Sequence, residues 1–487
     1  MAQSRRDQVL AHRFLMGRLS SGMLRDEPDA PDTPLGRTSR GTVIGLVVGA
    51  VIALVVTLYG VIVPGGNTSW QTPGTMVVVS DTGARYLYLG GQLRPVLNQT
   101  SARLIAGSQF TIQQVAANSL DGTPRGPMIG LVGAPDSLTP ATGLNTGPWL
   151  ACGTEQITDS GAFAPRLALQ VGVPGTGQPL GRGQGLVVAG PDQSLYVISN
   201  GQRLRLDSAH GATQALGYAS VNPFPVTAGF LDTVPAGPDL AAPDVPGRGA
   251  AGPVLAGHPT AVGQLFSGAG NQHYLLRADG LVPLTDTLFG LLRGDPRTQQ
   301  AAYRGGPVAA NPIGPADVAA HSASGGAQAS LTHDGALPET PPTPVATPSG
   351  QGVCIQVQPN GAAPITSVFL VDGNTVGGQA PARQLGVVPS CREPDEIAVR
   401  PGGGALVRAL STGGTVANTV YLVSDAGVKY PVPSDDVVKQ LGYDPAATVP
   451  LPATLLGMLP TGPSLDPAAL AGGGMATQRT PAQPCSS

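Results

Sequence analysis

Lysine is nearly missing from this chain: of 487 residues, only Lys429 and Lys439 are lysine. A nucleotide-binding P-loop places a lysine after its glycine-rich turn, GxxxxGK[ST], and neither lysine stands in such a run. Charged residues make up 12% of the chain and the formal net charge is -3, with no extended basic patch beyond the N-terminal flank. Those values exclude nucleic acid as an expected partner. Aromatic residues are held to 4%, so any core must be built from Leu, Val and Ala. Cysteine is limited to Cys152, Cys354, Cys391 and Cys485, with no closely spaced pair, and the six histidines are scattered. No metal site and no cofactor are therefore expected. Ser208, His210 and the pair His333-Asp334 have the residue types of a hydrolase triad but no nucleophile-elbow pattern, so no catalytic residue is assigned. Asp435 opens a helical stretch, where it is placed to cap or stabilise the N-terminus.

What is plentiful is glycine (69) and proline (49), which predicts many short elements and loops. One long apolar run breaks that pattern, TVIGLVVGAVIALVVTLYGVIV, bounded by Thr42 and Val63. At 1.5 Å per residue it reaches about 33 Å, enough to span a bilayer core of roughly 30 Å, and hydrocarbon requires it to be a helix. A cleaved signal peptide fits less well, because the run is too long and Pro64-Gly65-Gly66 is a poor cleavage site. Seven arginines precede the run (Arg5, Arg6, Arg13, Arg18, Arg25, Arg37, Arg40), whereas the next basic residue after it is Arg85. The positive-inside bias puts the N-terminus in the cytoplasm and the large C-terminal region outside, a single-pass inner-membrane topology. All cysteines then lie in an oxidising compartment, where one or two disulfides are expected and spacing does not choose the pairing.

Residues 5–24 mix arginines with Leu10, Phe14, Leu15, Leu19 and Met23. They predict a helix that either offers apolar residues to a partner or to the inner membrane face, or merely orients the anchor. Residues 26–36 are an acidic, proline-rich linker.

Beyond the anchor the chain repeats itself. Residues 195–240 and 420–465 align without a gap at an offset of 225, matching Tyr196, Gly217, Tyr218, Leu231, Pro235, Gly237, Pro238 and Leu240 to Tyr421, Gly442, Tyr443, Leu456, Pro460, Gly462, Pro463 and Leu465. Each copy reads as a hairpin, a helical stretch and a second helix closed by Pro-x-Gly-Pro. A fainter pair, YLYLGGQLRPV from Tyr86 and YLLRADGLVPL from Tyr274, adds two more units. Units this small must lean on neighbours to bury a core. Other short strands, at 162–176, 184–190, 351–357, 366–371 and 404–410, predict a central sheet drawn from both halves of the exterior region. Residues 312–350, containing PETPPTPVATPSG, read as a flexible linker. Residues 235–260 read as a loop and 466–487 as a low-complexity tail. Arg94, Arg203 and Arg205 follow hairpin turns and read as solvated strand edges, with an anionic wall polymer or a partner carboxylate as the competing ligand.

A basic N-terminal helix, one span, the Tyr86 hairpin and the run SARLI at 101–105 come in an order that resembles the EccB family, membrane core components of the mycobacterial and actinobacterial type VII (ESX) secretion system. PRGPMIG at 124–130, GAP at 133–135, WLAC at 149–152 and LPTGP at 459–463 strengthen the resemblance, which covers residues 5–466. It implies a structural component scaffolding protein export: a mixed α/β periplasmic rod of four hairpin-plus-helix repeat domains around a central β-rich core. The implied divisions are 1–41 (cytoplasmic helix and linker), 42–63 (transmembrane), 64–130 (first repeat) and 131–190 (core, first part). Then follow 191–260 and 261–311 (second and third repeats), 312–350 (linker), 351–415 (core, second part), 416–465 (fourth repeat) and 466–487 (tail). It further implies a disulfide between Cys152 and Cys354, leaving Cys391 and Cys485 open. Its implied partners are EccC, EccD and EccE components, a mycosin protease, other EccB copies and peptidoglycan. Members of the family also carry an ATPase label, from which this sequence departs in having no Walker A run. ATP hydrolysis and a free-standing peptidoglycan anchor are the competing functions.

Overall fold

The computed structural model describes residues 5–25, 34–62, 68–324 and 337–478. Two helices, Arg5–Arg25 and Pro34–Ile62, precede the folded bulk. The second contains an apolar stretch, Thr38–Tyr59, long enough to cross a membrane and with none of it buried against protein. Thr42 and Thr57 do not interrupt it, because their hydroxyls donate back to Thr38 O and Ala53 O within the helix. Val63 lies outside the described residues. On the first helix, Val9, Leu10, Phe14, Leu15, Leu19 and Met23 are all exposed.

Four small sheets share one plan: a first strand, an antiparallel hairpin beside it, and a last strand that returns parallel to the first on its other edge. The first sheet uses Thr75–Val79, Arg85–Leu89, Gln92–Pro95 and Thr111–Val115. The second uses Gln184–Ala189, Leu195–Ser199, Gln202–Arg205 and Phe224–Pro225. The third uses Leu265–Ser267, His273–Arg277, Gly280–Leu284 and Asn311–Pro312. The fourth uses Ala405–Leu410, Val416–Val423, Lys429–Val432 and Val449–Pro452. A short helix bridges the third and last strands of each, at Gln99–Ala106, Ala212–Ala215, Asp286–Gly294 and Asp435–Gln440. Asn98, Thr285 and Ser434 cap three of these helices by accepting from the amides of Ser101, Leu288 and Val437.

A six-stranded central sheet joins the two halves of the chain beyond the apolar helix, in the order Glu396–Val399, Phe163–Val171, Trp149–Ile157, Gln351–Gln358, Ile365–Asp372, Gln178–Pro179. One of its faces presents Trp149, Ala151, Leu167, Leu169, Val353 and Ile355 to Phe224, Phe230 and Leu231 of the second small unit and to Leu455, Leu456 and Met458 of the fourth. The second and fourth units therefore sit side by side on one sheet face, sharing its core. Leu104 and Leu131 of the first unit pack among Leu406, Val420 and Leu422 of the fourth. Leu291 of the third unit is buried among Val187, Val197 and Leu204 of the second. The small units thus follow one another as first, fourth, second, third, with the central sheet packed against the fourth and second together and the chain running out to the third unit and back.

Several boundaries differ from the sequence reading. Gln184–Ala189 and Ala405–Leu410 are not central strands but the first strands of the second and fourth small sheets. A lone hairpin is too small to hold a helix, and the extra strand gives it a sheet. Residues 312–350 are not all linker: Pro315–His321 is a helix, and Thr343–Pro344 adds a strand beside Gln184 and Gly185. Tyr218 Oη donates to Pro342 O there, at 2.8 Å, and Leu337 packs against the cores of both the second and third units. Prolines that discourage helix are compatible with this extended, docked path. Residues 235–260 similarly contain the strand Ala251–Leu255 and bury Val245. In the tail, Met475–Ala476 pairs with Gly130–Leu131 of the first unit, so the described end of the chain returns to its beginning.

Candidate functional site

The feature that organises the folded region beyond the apolar helix is a seam, where strands 149–157 and 351–358 meet. Cys354 stands directly opposite Cys152 in the antiparallel register, with Cα atoms 4.0 Å apart and a disulfide joining residues 202 apart in sequence. Both are buried with Leu150 and Val371 on the sheet face away from the main core. The bond closes the loop containing the second and third units. Cys391 is also disulfide-bonded. Cys485 lies outside the described residues.

The repeat tyrosines occupy equivalent positions. Tyr86, Tyr196, Tyr274 and Tyr421 each sit on the middle strand of the hairpin, opposite Val77, Val188, Phe266 and Val407 on one side. On the other side they face Pro95, Arg205, Pro283 and Pro431. All four are partly buried. The registers also expose one slip in the gapless alignment. Tyr196 opposes Arg205 whereas Tyr421 opposes Pro431, so the fourth hairpin has one more residue in its turn.

A closing lock follows each hairpin. The third strand makes an isolated parallel bridge to a later segment at Leu93 with Arg125, Arg203 with Ala236, Leu281 with Ser322, and Lys429 with Thr461. The next residue in each case, Gly126, Gly237, Ala323 or Gly462, donates its amide to the same third-strand carbonyl. This explains Pro-x-Gly-Pro. The residue before the bridge, Pro124, Pro235 or Pro460, accepts from the third strand and needs no amide of its own. The glycine is forced by crowding: a methyl at Gly237 would meet Leu204 and Gln202, and one at Gly462 would overlap the Tyr430 ring. The first unit's copy, Pro124-Arg125-Gly126-Pro127, is a third Pro-x-Gly-Pro that the offset comparison missed, although the motif itself was visible.

Cations on the third strand reach the second helix of two units. Arg203 donates to Leu231 O, and Lys429 Nζ donates to Leu456 O at 2.7 Å. These carbonyls end equivalent helices, Ala228–Thr233 and Ala453–Gly457, where a positive charge is favoured. Arg203 keeps an acidic neighbour, Asp232 at 3.5 Å. Lys429 is 4% exposed, and burial pushes its ammonium down to about 8.

The remaining polar groups are structural. His210 Nδ1 lies 2.6 Å from Asp207, in the turn before a helix. Ser434 caps the helix Asp435–Gln440, and Asp435, in its first turn, favours the N-terminus by charge and pairs with Arg408 at 2.6 Å. Arg94 packs against Gly126 and Gly473, while Arg205 is exposed. Asp295 is fully buried beside Arg248 (2.7 Å) and Arg297 (3.0 Å). Burial alone would raise its pKa, but the hydrogen bonds from both arginines carry the carboxyl below its usual value. Among the described residues no group of three His, Cys, Asp or Glu side chains is arranged to hold a metal. Among the open clefts, one lies between residues 211–215 and 290–294 with Arg293, and another beside the 157–163 hairpin with Glu155, Arg166 and Glu396. In the second cleft Arg166 is tied to Glu396 at 2.7 Å.

The comparisons with known proteins agree with this geometry. The family described as type VII secretion system ESX-1, transport TM domain B, matches residues 1–474. The ESX-3 secretion system ATPase EccB3 of Mycolicibacterium smegmatis is 30% identical over 484 residues, covering 94% of this chain and 89% of the relative. An EccB3 dimer from the ESX-3 core complex matches with a TM-score of 0.62 and 27% identity, over 81% of this chain and 98% of that one. A chain of an intact ESX-5 inner membrane complex matches in fold with a TM-score of 0.63 and 23% identity, over 99% of this chain and 97% of that one.

Proposed function

This chain belongs to the EccB family of type VII (ESX) secretion components, and from that premise we propose that it works as a stiff, non-catalytic strut on the outer side of the inner membrane. As a member of that family it is a structural, scaffolding subunit of an ESX inner-membrane secretion complex. The more detailed reading has four repeat domains around a central core, held by one helix whose N-terminal flank faces the cytoplasm. The observation that carries it is the double passage of the chain. The exterior region leaves the membrane, runs to the third unit and returns, and the two passes are tied by the disulfide between Cys152 and Cys354 and by the shared core of the first and fourth units. Such a cross-tied body transmits position rather than chemistry. Its expected neighbours are EccC-, EccD- and EccE-type membrane components, a mycosin protease and further copies of itself, with peptidoglycan as an additional contact.

Gentle detergent extraction and identification of co-purifying proteins test the assembly, and reporters fused at each terminus test the orientation. Recovery of the chain with no membrane partners, or a cytoplasmic reporter after Ser487, would sink the reading. The relative's printed name includes the word ATPase. Magnesium-dependent ATP turnover by the purified chain, lost on mutation of one acidic residue, would favour that function instead.

A further inference from the structure

Cys152 and Cys354 are joined to each other, yet Cys391 is disulfide-bonded as well. Within the chain that leaves only Cys485 as its thiol partner. The fold around Cys391, and the place where the described tail ends, bring the two within reach.

Cys391 is exposed, on a loop that is held in place. Val388 and Thr461 exchange backbone hydrogen bonds of 2.8 Å each, and Ser390 Oγ donates to Met458 O at 2.7 Å. Those contacts pin the loop to the closing lock of the fourth unit. Earlier on the same loop, Leu385 and Gly386 press on the first unit. A carbon added to Gly386 would lie 2.8 Å from Val132 O, and one added to Gly133 would lie 2.6 Å from Leu385 O. The tail arrives at the same spot. Met475–Ala476 runs parallel to Gly130–Leu131, with Gly474 O and Ala476 O accepting from the amides of Gly130 and Val132. Loop and tail thus both touch Val132.

Contact through that one residue keeps Gly386 and Ala476 within about 13 Å, and the five residues from Gly386 to Cys391 add at most about 17 Å. The nine residues from Ala476 to Cys485 span up to about 30 Å, and a disulfide adds about 5 Å between Cα atoms. The tail's reach therefore covers the largest separation these contacts allow.

We propose that Cys391 and Cys485 of one chain form a second disulfide, which closes the C-terminal tail into a strap holding the first unit on the fourth. Two protons and two electrons leave the thiols and pass, by thiol–disulfide exchange, to a protein disulfide of the oxidising compartment, which departs as a dithiol. The segment closed by the bond contains the whole fourth unit and the tail strand that pairs with Gly130–Leu131. That strand is two residues long and close to the chain end, where an untethered segment frays. The proposal rests on the reading that the folded region lies outside the membrane.

For the test, full-length protein extracted from membranes is treated with N-ethylmaleimide to block free thiols and digested with trypsin without reductant. Cleavage after Arg383, Arg392 and Arg479 releases residues 384–392 and 480–487, each with a single cysteine. Mass spectrometry is expected to find these two peptides joined, from protein that runs as a monomer without reductant. A covalent dimer held through Cys391 or Cys485 would overturn the strap in favour of a link between copies. Maleimide on both residues, with Cys152 and Cys354 still joined, would overturn the second bond and leave the outside reading standing. Maleimide on all four would overturn both. Hydrogen exchange reads the strap itself: in Cys485→Ala the amides of Gly130 and Val132 are expected to exchange at least ~5-fold faster, while those of strand 149–157 keep their protection. Unchanged exchange at 130–132 would show that the bond holds nothing, and would overturn the strap.

Discussion

Gly462 lies so close to the face of Tyr430 that a single methyl on it would overlap the ring, while its amide donates to Lys429 O at 2.9 Å. The Pro-x-Gly-Pro run is therefore a latch whose glycine leaves room for the hairpin beneath it. Gly462→Ala should destabilise the chain by about 1–3 kcal/mol through overpacking. Gly457→Ala, five residues earlier with nothing within 4 Å of its added carbon, should change stability only slightly. Denaturant unfolding of the two variants, followed by tryptophan fluorescence, checks the contrast; equal effects would mean that the latch is loose.

Lys429 predicts an unusual alkaline profile. Its folded pKa, about 8, lies below the ordinary value of 10.5 because burial disfavours the charged form. Between those values the folded state has released a proton that the unfolded chain retains, so stability rises with pH across that window, by roughly 3 kcal/mol at most. Tyr218 and Tyr430 act in the opposite sense. Burial pushes both up to about 12, so the unfolded chain ionises first and their stability is lost as pH climbs from 10 towards 12. Unfolding midpoints should pass through a maximum near pH 10, and Lys429→Met should remove the rising limb while keeping the fall.

The repeats were legible because Tyr196, Gly217, Tyr218 and Gly237 recur at constant spacing in a chain with few aromatics. The fold's outer strands were harder to read. Gln184–Ala189 and Thr343–Pro344 are adjacent in space but far apart in sequence, and no local pattern announces which sheet a short apolar run will join. Proline-rich 337–348 looked like linker because composition reports local freedom, not the docking of Pro342 O against Tyr218 Oη. The absence of a P-loop could be read directly; the cation-to-helix contacts of Arg203 and Lys429 could not, since they depend on the third dimension.

The seam should carry much of the stability of the folded region beyond the apolar helix. Cys152 and Cys354 lie 202 residues apart, so their bond restricts a large loop in the unfolded chain. The double variant Cys152→Ala, Cys354→Ala should lose about 2–5 kcal/mol. Its loss should be seen as an earlier unfolding transition that reductant shifts less than it shifts the unmodified chain, since the bond at Cys391 remains to be reduced in both.

The third unit depends on a buried charge at its hinge with the second. Asp295 ends the helix Asp286–Gly294, an unfavourable place for a carboxylate, yet it is fully buried. Arg248 and Arg297 reverse that penalty, and through their other nitrogens they hold Pro243 O at 3.1 Å and Ala242 O at 3.0 Å. One carboxylate thus fastens the incoming chain at 242–248 to the helix of the third unit. Asp295→Asn leaves Arg248, whose side chain is 8% exposed, without its counter-charge, and should cost about 3–5 kcal/mol. Replacing the pair together, Asp295→Leu with Arg248→Met, should cost less than the single change, because no buried charge is then stranded. Hydrogen exchange localises the effect: amides of 245–302 should exchange faster in Asp295→Asn while those of the central strands 149–157 and 351–358 keep their protection. Faster exchange throughout would show instead that the third unit and the centre unfold as one body.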